Sequence, residues 1–173
     1  MIAIRAATVR DARAIAEVHV ASWRWAYRNT FPAAALDGLD VSERARTWSD
    51  RLGDDDPLTE TLVADDDGAV VGFCGFGPSR DDDAPPGTAE VYAIYLREEA
   101  AGRGVGRALF TRANERLRAL GYPRATLWVL ESNERTRRFY QAAGWTADGA
   151  RSAHHLGRAA LPIVRYGVDL AVP

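Results

Sequence analysis

Cysteine is nearly absent from this sequence of 173 residues, in which Cys74 is the one cysteine. A single cysteine excludes a disulfide within the chain and any cysteine-rich zinc site, and it is typical of a reducing cytoplasm. Cys74 lies in a hydrophobic stretch predicted to be a strand, so we interpret it as a small buried residue rather than a nucleophile.

Long apolar runs and an excess of positive charge are also missing. No stretch of about 18 apolar residues is present to span a bilayer, and the first residues do not resemble a signal peptide. The 22 basic and 24 acidic residues give a formal net charge of −2, which creates no positive field to gather nucleic acid or anionic lipid. We therefore expect a cytoplasmic protein that binds neither nucleic acid nor membrane and folds as one domain over residues 1–173.

Hydrophobic periodicity predicts strands and helices in alternation. The predicted strands are Ile2–Arg5, Thr61–Ala64, Ala69–Phe76, Ala89–Leu96, Ala125–Leu130 and Ile163–Leu170, and extended structure resumes at Trp145. The predicted helices are Ala12–Trp25, Ser42–Leu52, Val105–Leu120 and Asn133–Ala143. Ser42 is a candidate N-cap, residues 54–57 end that helix, and residues 65–68 favour a hairpin. Crossovers need parallel strands and hairpins antiparallel ones, so the order predicts an α/β fold with a mixed sheet.

A glycine-containing turn precedes the helix predicted from Val105. The first N–H groups of a helix lack intrahelical partners and carry partial positive charge, which favours phosphate. Gly104 and Gly106 have no Cβ to hold a pyrophosphate away from the backbone, and Arg103 and Arg107 can add charge-assisted contacts. We therefore expect a ligand that contains a diphosphate.

The spacing of the glycines distinguishes this turn from two well-known phosphate-binding loops. A Walker A loop needs lysine and then Ser or Thr after its last glycine, whereas Gly106 is followed by Arg107 and Ala108. A dinucleotide fold needs G-x-G-x-x-G in its first βαβ unit, whereas the glycines at 102, 104 and 106 read G-x-G-x-G. A tight strand-to-helix corner without any ligand is the structural alternative.

Two segments in order resemble the signature of the GCN5-related N-acetyltransferase (GNAT) superfamily. Ile94–Leu109 is similar to the acetyl-CoA-binding motif Q/R-x-x-G-x-G/A, with Ala101 where the family usually has Gln or Arg. Asn133–Trp145 is similar to the later motif N-x-x-A-x-x-F-Y-x-x-x-G-F, with Thr136 and Trp145 in place of alanine and phenylalanine. The resemblance implies an acetyl-CoA-dependent N-acetyltransferase without a metal.

The family resemblance also implies a fold and a cofactor site. The fold would be a mixed, mostly antiparallel central sheet with helices on both faces and a splayed parallel pair of strands at the acetyl-CoA site. The edge formed by Ile94, Tyr95 and Leu96 would hydrogen-bond the pantetheine arm as an added strand does. The pyrophosphate would contact Gly102, Arg103, Gly104, Val105, Gly106 and Arg107.

Tyr140 and Asn133 are candidates from the later motif. A phenol near the departing sulfur can supply a proton, so Tyr140 is the candidate general acid. The alternative is that Tyr140 is a core aromatic, although the adjoining Phe139 suits the core better. Asn133 can cap the following helix, contact the pantetheine or the phosphates, or do both.

Glu90 is the candidate general base that removes a proton from the attacking ammonium. Alternation along the strand places it on one face with Tyr92, Ile94 and Leu96, so the carboxylate would have apolar neighbours. Alternatively, Glu90 is a solvent-facing charge at a strand end, and water acts as the base.

Trp23 and Tyr27 are the candidate acceptor wall, because the family often uses its first helix for this purpose. Their i, i+4 spacing suits cation–π contact with an amine, and it is equally expected of core packing. His19 shares their face, and a lone histidine there is more often a hydrogen-bonded core residue than a catalytic one.

No metal site is expected. His154 and His155 are adjacent, have no third ligand at suitable spacing and are interpreted as part of a loop. The aspartate runs at 54–56, 65–67 and 81–83 lack the calcium-loop pattern and are interpreted as solvated turns. A run beside the acceptor site would attract cationic amines such as polyamines or aminoglycosides.

We expect direct transfer of the acetyl group to a primary amine of a small molecule, because no Cys–His pair suggests a covalent enzyme intermediate. The alternatives are a peptide or protein acceptor, acetylated at its N-terminus or at lysine, a longer acyl-CoA donor, and a non-catalytic acyl-CoA sensor. Dimerisation is common among relatives, so a homodimer is compatible with the resemblance.

Overall fold

The computed structural model describes residues 2–54, 56, 58–156 and 158–171. The strands are β1 Ile2–Ala6, β2 Glu60–Asp66, β3 Ala69–Pro78, β4 Thr88–Leu96, β5 Arg124–Leu130, β6 Thr146–Leu156 and β7 Ala159–Asp169. The helices are α1 Ala12–Ala26, α2 Ala33–Asp37, α3 Val41–Gly53, α4 Val105–Ala119 and α5 Glu134–Ala142. Single 3₁₀ turns precede α1 at Val9–Asp11 and follow β4 at Glu98–Ala100.

The strands form one sheet in the order β1-β2-β3-β4-β5-β7-β6. β4 and β5 run parallel, with Thr88–Val91 paired to Arg124–Leu127. The ladders β1–β2, β2–β3, β5–β7 and β6–β7 are antiparallel. The predicted α/β fold with a mixed, mostly antiparallel sheet is therefore confirmed.

The chain folds as two compact units, Met1–Phe76 with Ala93–Ala113 and Gly77–Tyr92 with Asn114–Pro173. In the first unit, α1 presents one apolar face at helical spacing, including Ile15 and Val18, to Trp48 of α3 and Phe73 of β3, because burying such a stripe stabilises an amphipathic helix. The predicted hairpin turn is confirmed, since Asp67 and Gly68 both have positive φ, 52° and 92°, as a tight two-residue turn between twisted strands requires.

The second unit has a core built on β5, β7 and the start of β6. Leu127, Trp145 and Tyr166 are almost completely buried there. The hydroxyl of Tyr166 accepts hydrogen bonds from Arg137 Nε and Gln141 Nε2, both at 3.2 Å. These bonds attach α5 to β7 and satisfy a buried phenol that would otherwise cost free energy.

Several local predictions are wrong. Asp40, not Ser42, caps α3, because its carboxylate accepts a hydrogen bond of 2.7 Å from the N–H of Glu43. The short helix α2 was not predicted, since its sequence AAALD has no periodic apolar pattern. The strand predicted from Ile163 already begins at Ala159. α3 ends at Gly53 as expected, and of the residues predicted to stop it, Asp55 and Pro57 lie outside the described residues.

His154 and His155 are not in a loop. They lie in β6, opposite Leu161 and Ala160 of β7, and adjacent strand residues point to opposite faces. Among the described residues, no group of three or more His, Cys, Asp or Glu side chains could hold a metal ion. Across the same part of the chain, no helix has the length and apolar character needed to cross a membrane.

Candidate active site

The glycine turn before α4 exposes its backbone. Gly102 and Gly104 have positive φ values of 79° and 82°, a conformation that other residues adopt with strain. A Cβ added at either glycine would meet nothing within 4 Å. The glycines are therefore required by backbone conformation, and the space beside them is open to a ligand. α4 begins directly afterwards at Val105, so its first N–H groups adjoin this space.

The two arginines of the turn differ in their surroundings. Arg103 Nη2 lies 3.2 Å from Asp66 Oδ2 at the end of β2, and Arg107 is exposed on the first turn of α4. Of the predicted phosphate-binding residues, Gly106 lies within α4 and has no positive φ. The turn thus contains two exposed arginines, and Arg103 is paired with an acidic partner.

The predicted pantetheine edge, Ile94–Leu96, is the end of β4 and is half-buried. The Ser22 hydroxyl of α1 donates a hydrogen bond to the Leu96 carbonyl oxygen. The adjacent Arg97 N–H donates to the Val71 carbonyl at 2.9 Å. The sequence alone did not reveal Ser22, because a serine within a helix has no distinguishing local pattern.

The predicted acceptor wall is an aromatic group at the C-terminal end of α1. Trp23 is buried, and its ring lies 5.1 Å from that of Tyr27 and 5.9 Å from that of Phe31, between centroids. Trp23 also lies 6.2 Å from the ring of Tyr95 on β4. Trp23 thus has the packing of a core residue, while the half-buried Tyr27 has part of its ring accessible.

His19 lies among aromatic rings of the first unit. Its ring centroid is 4.9 Å from that of Tyr95 and 5.7 Å from that of Phe73. Burial, with a smaller contribution from the charges of Arg44 and Arg51, lowers the pKa of His19 to about 3. His19 is therefore neutral at physiological pH, as expected of a core histidine, although Nδ1 has no hydrogen-bond partner among the described residues.

Glu90 is buried and is not a solvent-facing charge at a strand end. Its Oε2 accepts a hydrogen bond of 2.9 Å from the Arg80 main-chain N–H. Oε1 lies 3.1 Å from Arg80 Nη2. The Arg80 guanidinium in turn lies over the Tyr92 ring, 3.9 Å from its centroid. The sequence did not reveal Arg80, since its loop position has no periodicity that points to Glu90.

Asn133 and Tyr140 both belong to the helix region of the second unit. Asn133 Oδ1 accepts a hydrogen bond of 3.2 Å from the Thr136 N–H, so the predicted capping role is confirmed. Tyr140 is buried and Phe139 only half-buried, which reverses the expected order. The Tyr140 ring lies 5.4 Å from Phe139 and 6.3 Å from Tyr166. The Tyr140 backbone carbonyl also accepts from Trp145 N–H at 3.0 Å.

Asp81 is not a solvated turn residue, whereas Asp83 lies in a turn and is 67% exposed, as predicted, although both pair with Arg165. Arg165 Nη1 lies 3.0 Å from Asp81 Oδ2 and 2.6 Å from Asp83 Oδ1, and Arg165 Nε lies 2.7 Å from Asp148 Oδ2. Trp128 Nε1 donates to Asp81 Oδ1 at 2.9 Å. These bonds attach the loop between β3 and β4 to β5, β6 and β7. The hydrogen bond from the Arg165 guanidinium also lowers the pKa of Asp83.

A cleft of about 280 Å³ opens beside this loop in the second unit. Its lining includes Thr88, Arg124, Thr126, Asp148 and Arg165. None of the predicted site residues, all of which are described, lines the cleft. Cys74 is completely buried, and burial raises the pKa of its thiol, so it is no nucleophile.

The family model of the acetyltransferase (GNAT) family matches residues 19–145. This match covers more than half of the chain and includes both motifs, the turn before α4 and α5. The chain belongs to the GNAT family, and the class of enzyme it belongs to is N-acetyltransferase. The predicted family is thereby confirmed.

Two relatives illustrate the similarity to named acetyltransferases. The N-acetyltransferase YuaI of Bacillus subtilis (strain 168), whose own function is uncharacterised, is 38% identical over 143 residues, which cover 82% of this chain and 79% of YuaI. The mycothiol acetyltransferase of Beutenbergia cavernae is 38% identical over 115 residues, 66% of this chain and 35% of that protein. The chain spans about a third of the length of the mycothiol acetyltransferases it matches.

Solved structures share the fold at low sequence identity. The PaiA N-acetyltransferase of Thermoplasma acidophilum, solved with coenzyme A, has a TM-score of 0.77 at 19% identity and covers 95% of this chain and 98% of its own. YncA of Salmonella typhimurium, solved with its cofactor acetyl-CoA, has a TM-score of 0.72 at 24% identity, with coverage of 100% and 98%. These likenesses confirm the predicted GNAT fold.

Proposed function

We propose that this chain transfers the acetyl group of acetyl-CoA directly to a primary amine of a small molecule. The observation that carries the proposal is the turn before α4, where Gly102 and Gly104 have positive φ and leave open space beside the first N–H groups of the helix. Such a turn is suited to a diphosphate. Gly102–Arg107 would bind the pyrophosphate of acetyl-CoA, and Ile94–Leu96 its pantetheine arm.

Each candidate residue has a role in this reaction. Acetyl-CoA supplies the acetyl group as a thioester. Glu90 would take one proton from the acceptor ammonium, directly or through water, and pass it to solvent. As the new C–N bond forms and the C–S bond breaks, Tyr140 would protonate the departing sulfur and recover a proton, through water, from the attacking nitrogen. Asn133 would hold the start of α5 and add a contact to the pantetheine or the phosphates.

The acceptor class is the finer part of the proposal. The chain matches part of the length of mycothiol acetyltransferases, and these enzymes are named for mycothiol, a small molecule. Trp23 and Tyr27 remain the predicted acceptor wall. A peptide N-terminus, a protein lysine, a longer acyl donor and a non-catalytic acyl-CoA sensor are the competing functions.

The test is calorimetric titration of the purified protein with acetyl-CoA, CoA and NADH, followed by thiol release with a panel of small amines and of peptides. We expect binding of both CoA species, none of NADH, and thiol release with small amines. Release with peptides alone would replace the small-molecule acceptor with a peptide. CoA binding without release on any amine favours the sensor, and no CoA binding contradicts the proposal.

The composition of the chain simplifies the peptide and protein part of this assay. All 22 basic residues counted as Lys and Arg are arginine. The enzyme therefore has no lysine side chain that could become acetylated, so acetyl-lysine detected in a protein mixture belongs to the added substrate. Cytoplasmic location and a homodimer remain predictions, and sedimentation of the purified protein tests the second.

A further inference from the structure

Arg80 occupies a site that has the chemistry of an organic-cation receptor. Its guanidinium lies between a carboxylate and an aromatic face, with Nη2 3.1 Å from Glu90 Oε1, Nε 3.5 Å from Glu90 Oε2 and Cζ 3.9 Å from the centroid of the Tyr92 ring. An acid paired with the face of a phenol attracts ammonium and guanidinium groups by charge and by cation–π interaction. The Glu90 side chain is only 6% exposed, so it is shielded from the bulk solvent.

The walls of this site belong to the sheet, whereas its occupant belongs to a loop. Glu90 and Tyr92 are two residues apart in β4 and therefore share one face. The Tyr92 hydroxyl donates to the Pro78 carbonyl at 2.6 Å, which fixes the ring independently of Arg80. The Arg80 side chain, in contrast, is 59% exposed. A long exposed side chain loses conformational entropy when it is held and its charge is screened, so it is a weak competitor.

A cleft reaches the same face of the sheet. Thr88, two residues before Glu90, and Thr126, the partner of Glu90 in the parallel ladder, both line the cleft of about 280 Å³. Asp148 and Arg165 also line it, and they are paired with each other at 2.7 Å. Glu90 itself does not line the cleft, but its neighbour on the same face of β4 and its partner on β5 both do.

We propose that Glu90 and Tyr92 form the binding site for the cationic group of the acceptor, and that Arg80 is an internal occupant which the acceptor displaces. Naming the ligand as the acceptor rests on the proposed acetyltransferase function. While the Arg80 side chain is bound, its guanidinium occupies the space beside both oxygens of Glu90 that an acceptor ammonium would need. When the acceptor displaces the Arg80 side chain, the acceptor ammonium takes its place and lies beside Glu90, the predicted base. Arg80 thus restrains turnover until a cation of sufficient affinity arrives.

Agmatine, which carries a primary ammonium and a guanidinium, is the probe. We would titrate it by calorimetry, at low ionic strength and without acetyl-CoA, into the wild type, Arg80→Ala and Arg80→Gln. Both variants keep the main-chain N–H bond to Glu90. Arg151→Ala is the matched control, because Arg151 is an exposed arginine like Arg80, 69% exposed, and its Nη1 pairs at 2.9 Å with a different glutamate, Glu131.

The expected result is that agmatine binds Arg80→Ala and Arg80→Gln about fivefold or more tightly than wild type, the scale of an exposed ion pair. Arg151→Ala should bind like wild type, and adding Glu90→Gln to Arg80→Gln should abolish the gain. Agreement of the two Arg80 variants, each with a cooperative thermal transition, excludes misfolding as the cause. Equal or weaker agmatine binding by both Arg80 variants would overturn the proposal.

This result is separable from the test of the enzymatic activity. If amines cause thiol release but the Arg80 variants bind agmatine with unchanged affinity, the acetyltransferase function is supported. The proposal that Arg80 competes with the acceptor is then contradicted. If these variants bind agmatine more tightly but the protein does not bind CoA, the cation site is supported and the proposed acetyl transfer is contradicted.

Discussion

The imidazole of His19 stacks on the ring of Tyr95, with 4.9 Å between ring centroids and 19° between ring planes. This contact connects α1 to the end of β4, where the pantetheine edge is predicted. Trp23 and Phe73 surround the same imidazole at 5.9 Å and 5.7 Å. A charged imidazolium here would be desolvated, which is why burial dominates the lowered pKa of His19.

The pH dependence of stability should report this buried histidine. The folded pKa of His19 is about 3, and the unfolded value is about 6.5. Below pH ~6.5 the unfolded state binds a proton that the folded state does not, so the free energy of unfolding falls with decreasing pH, by up to about 1.4 kcal/mol per pH unit, until pH reaches the folded pKa. Urea unfolding between pH 7.5 and 5 measures this slope.

The control for this measurement is His19→Phe, which keeps an aromatic ring. Its free energy of unfolding should depend less on pH than that of wild type. The difference between the two proteins isolates His19 from His154, whose pKa burial also lowers, and from Asp11, whose pKa Arg5 lowers to about 2. Parallel pH curves for the two proteins would show that His19 titrates normally in the folded state.

Gly104→Ala should weaken acetyl-CoA binding by more than its effect on stability explains. Gly104 has a φ of 82°, so alanine there costs about 1–2 kcal/mol of folding free energy. Alanine would also add a methyl group to the open space beside the first turn of α4. We expect at least about a tenfold rise in the Kd for acetyl-CoA, measured by calorimetry.

Gly121→Ala is the matched control for this substitution. Gly121 follows the other end of α4, has a φ of 86°, and like Gly104 has nothing within 4 Å of an added Cβ. Its stability loss should be similar, because the backbone strain is the same. Equal acetyl-CoA affinity in the two variants would mean that the turn at Gly104 is only a strand-to-helix corner.

Asp66→Asn should tighten acetyl-CoA binding. Asp66 holds Arg103 at 3.2 Å, and the arginine is 50% exposed, so releasing it costs little, within the ~1 kcal/mol of an exposed pair. The freed guanidinium can then contact phosphate. We expect a Kd several-fold lower at low salt, with the gain decreasing as salt rises. The same substitution in an Arg103→Ala background should give a smaller gain, which comes only from the lost repulsion between Asp66 and the phosphates. A gain of equal size there would show that Arg103 does not mediate the effect.

The β2–β3 hairpin and the segment around Gly104, which short sequence patterns encode, were predicted correctly. The β2–β3 hairpin follows from Asp67 and Gly68, whose positive φ matches the residue types that tolerate it. The strand, turn and helix around Gly104 follow in the same way, because glycine, helix periodicity and apolar alternation all lie within one short segment. The cap of α3 was misassigned because Asp40 and Ser42 are both good caps, two residues apart.

The remaining features depend on long-range contacts and could not be predicted from local patterns. β6 is exposed along most of its length, so its sequence has no alternation of apolar and polar residues to indicate a strand around His154. The ion pair of Arg165 with Asp81 joins residues 84 positions apart. The sequence around Arg165 does not indicate that its partner is Asp81, and the sequence around Asp81 does not indicate Arg165.

Tyr140→Phe tests the candidate general acid. Tyr140 is buried and packs near Phe139 and Tyr166, and phenylalanine keeps the ring while it removes the hydroxyl. If the hydroxyl protonates the departing sulfur, kcat should fall by about 10²–10⁴-fold, the usual scale of general acid catalysis, while the Kd for acetyl-CoA stays the same. Thiol release at saturating acetyl-CoA, with the acceptor amine found in the panel, measures this loss.

Tyr122→Phe is the matched control, because Tyr122 is a half-buried tyrosine in the turn between α4 and β5. It should turn over like wild type. A purely structural role of Tyr140 would lower stability and acetyl-CoA affinity together, and it would leave kcat per folded molecule unchanged. The fold loss of kcat in Tyr140→Phe should become smaller with acyl donors whose thiol is a better leaving group, because such a thiolate needs less protonation to depart. This result would identify the hydroxyl as the proton donor.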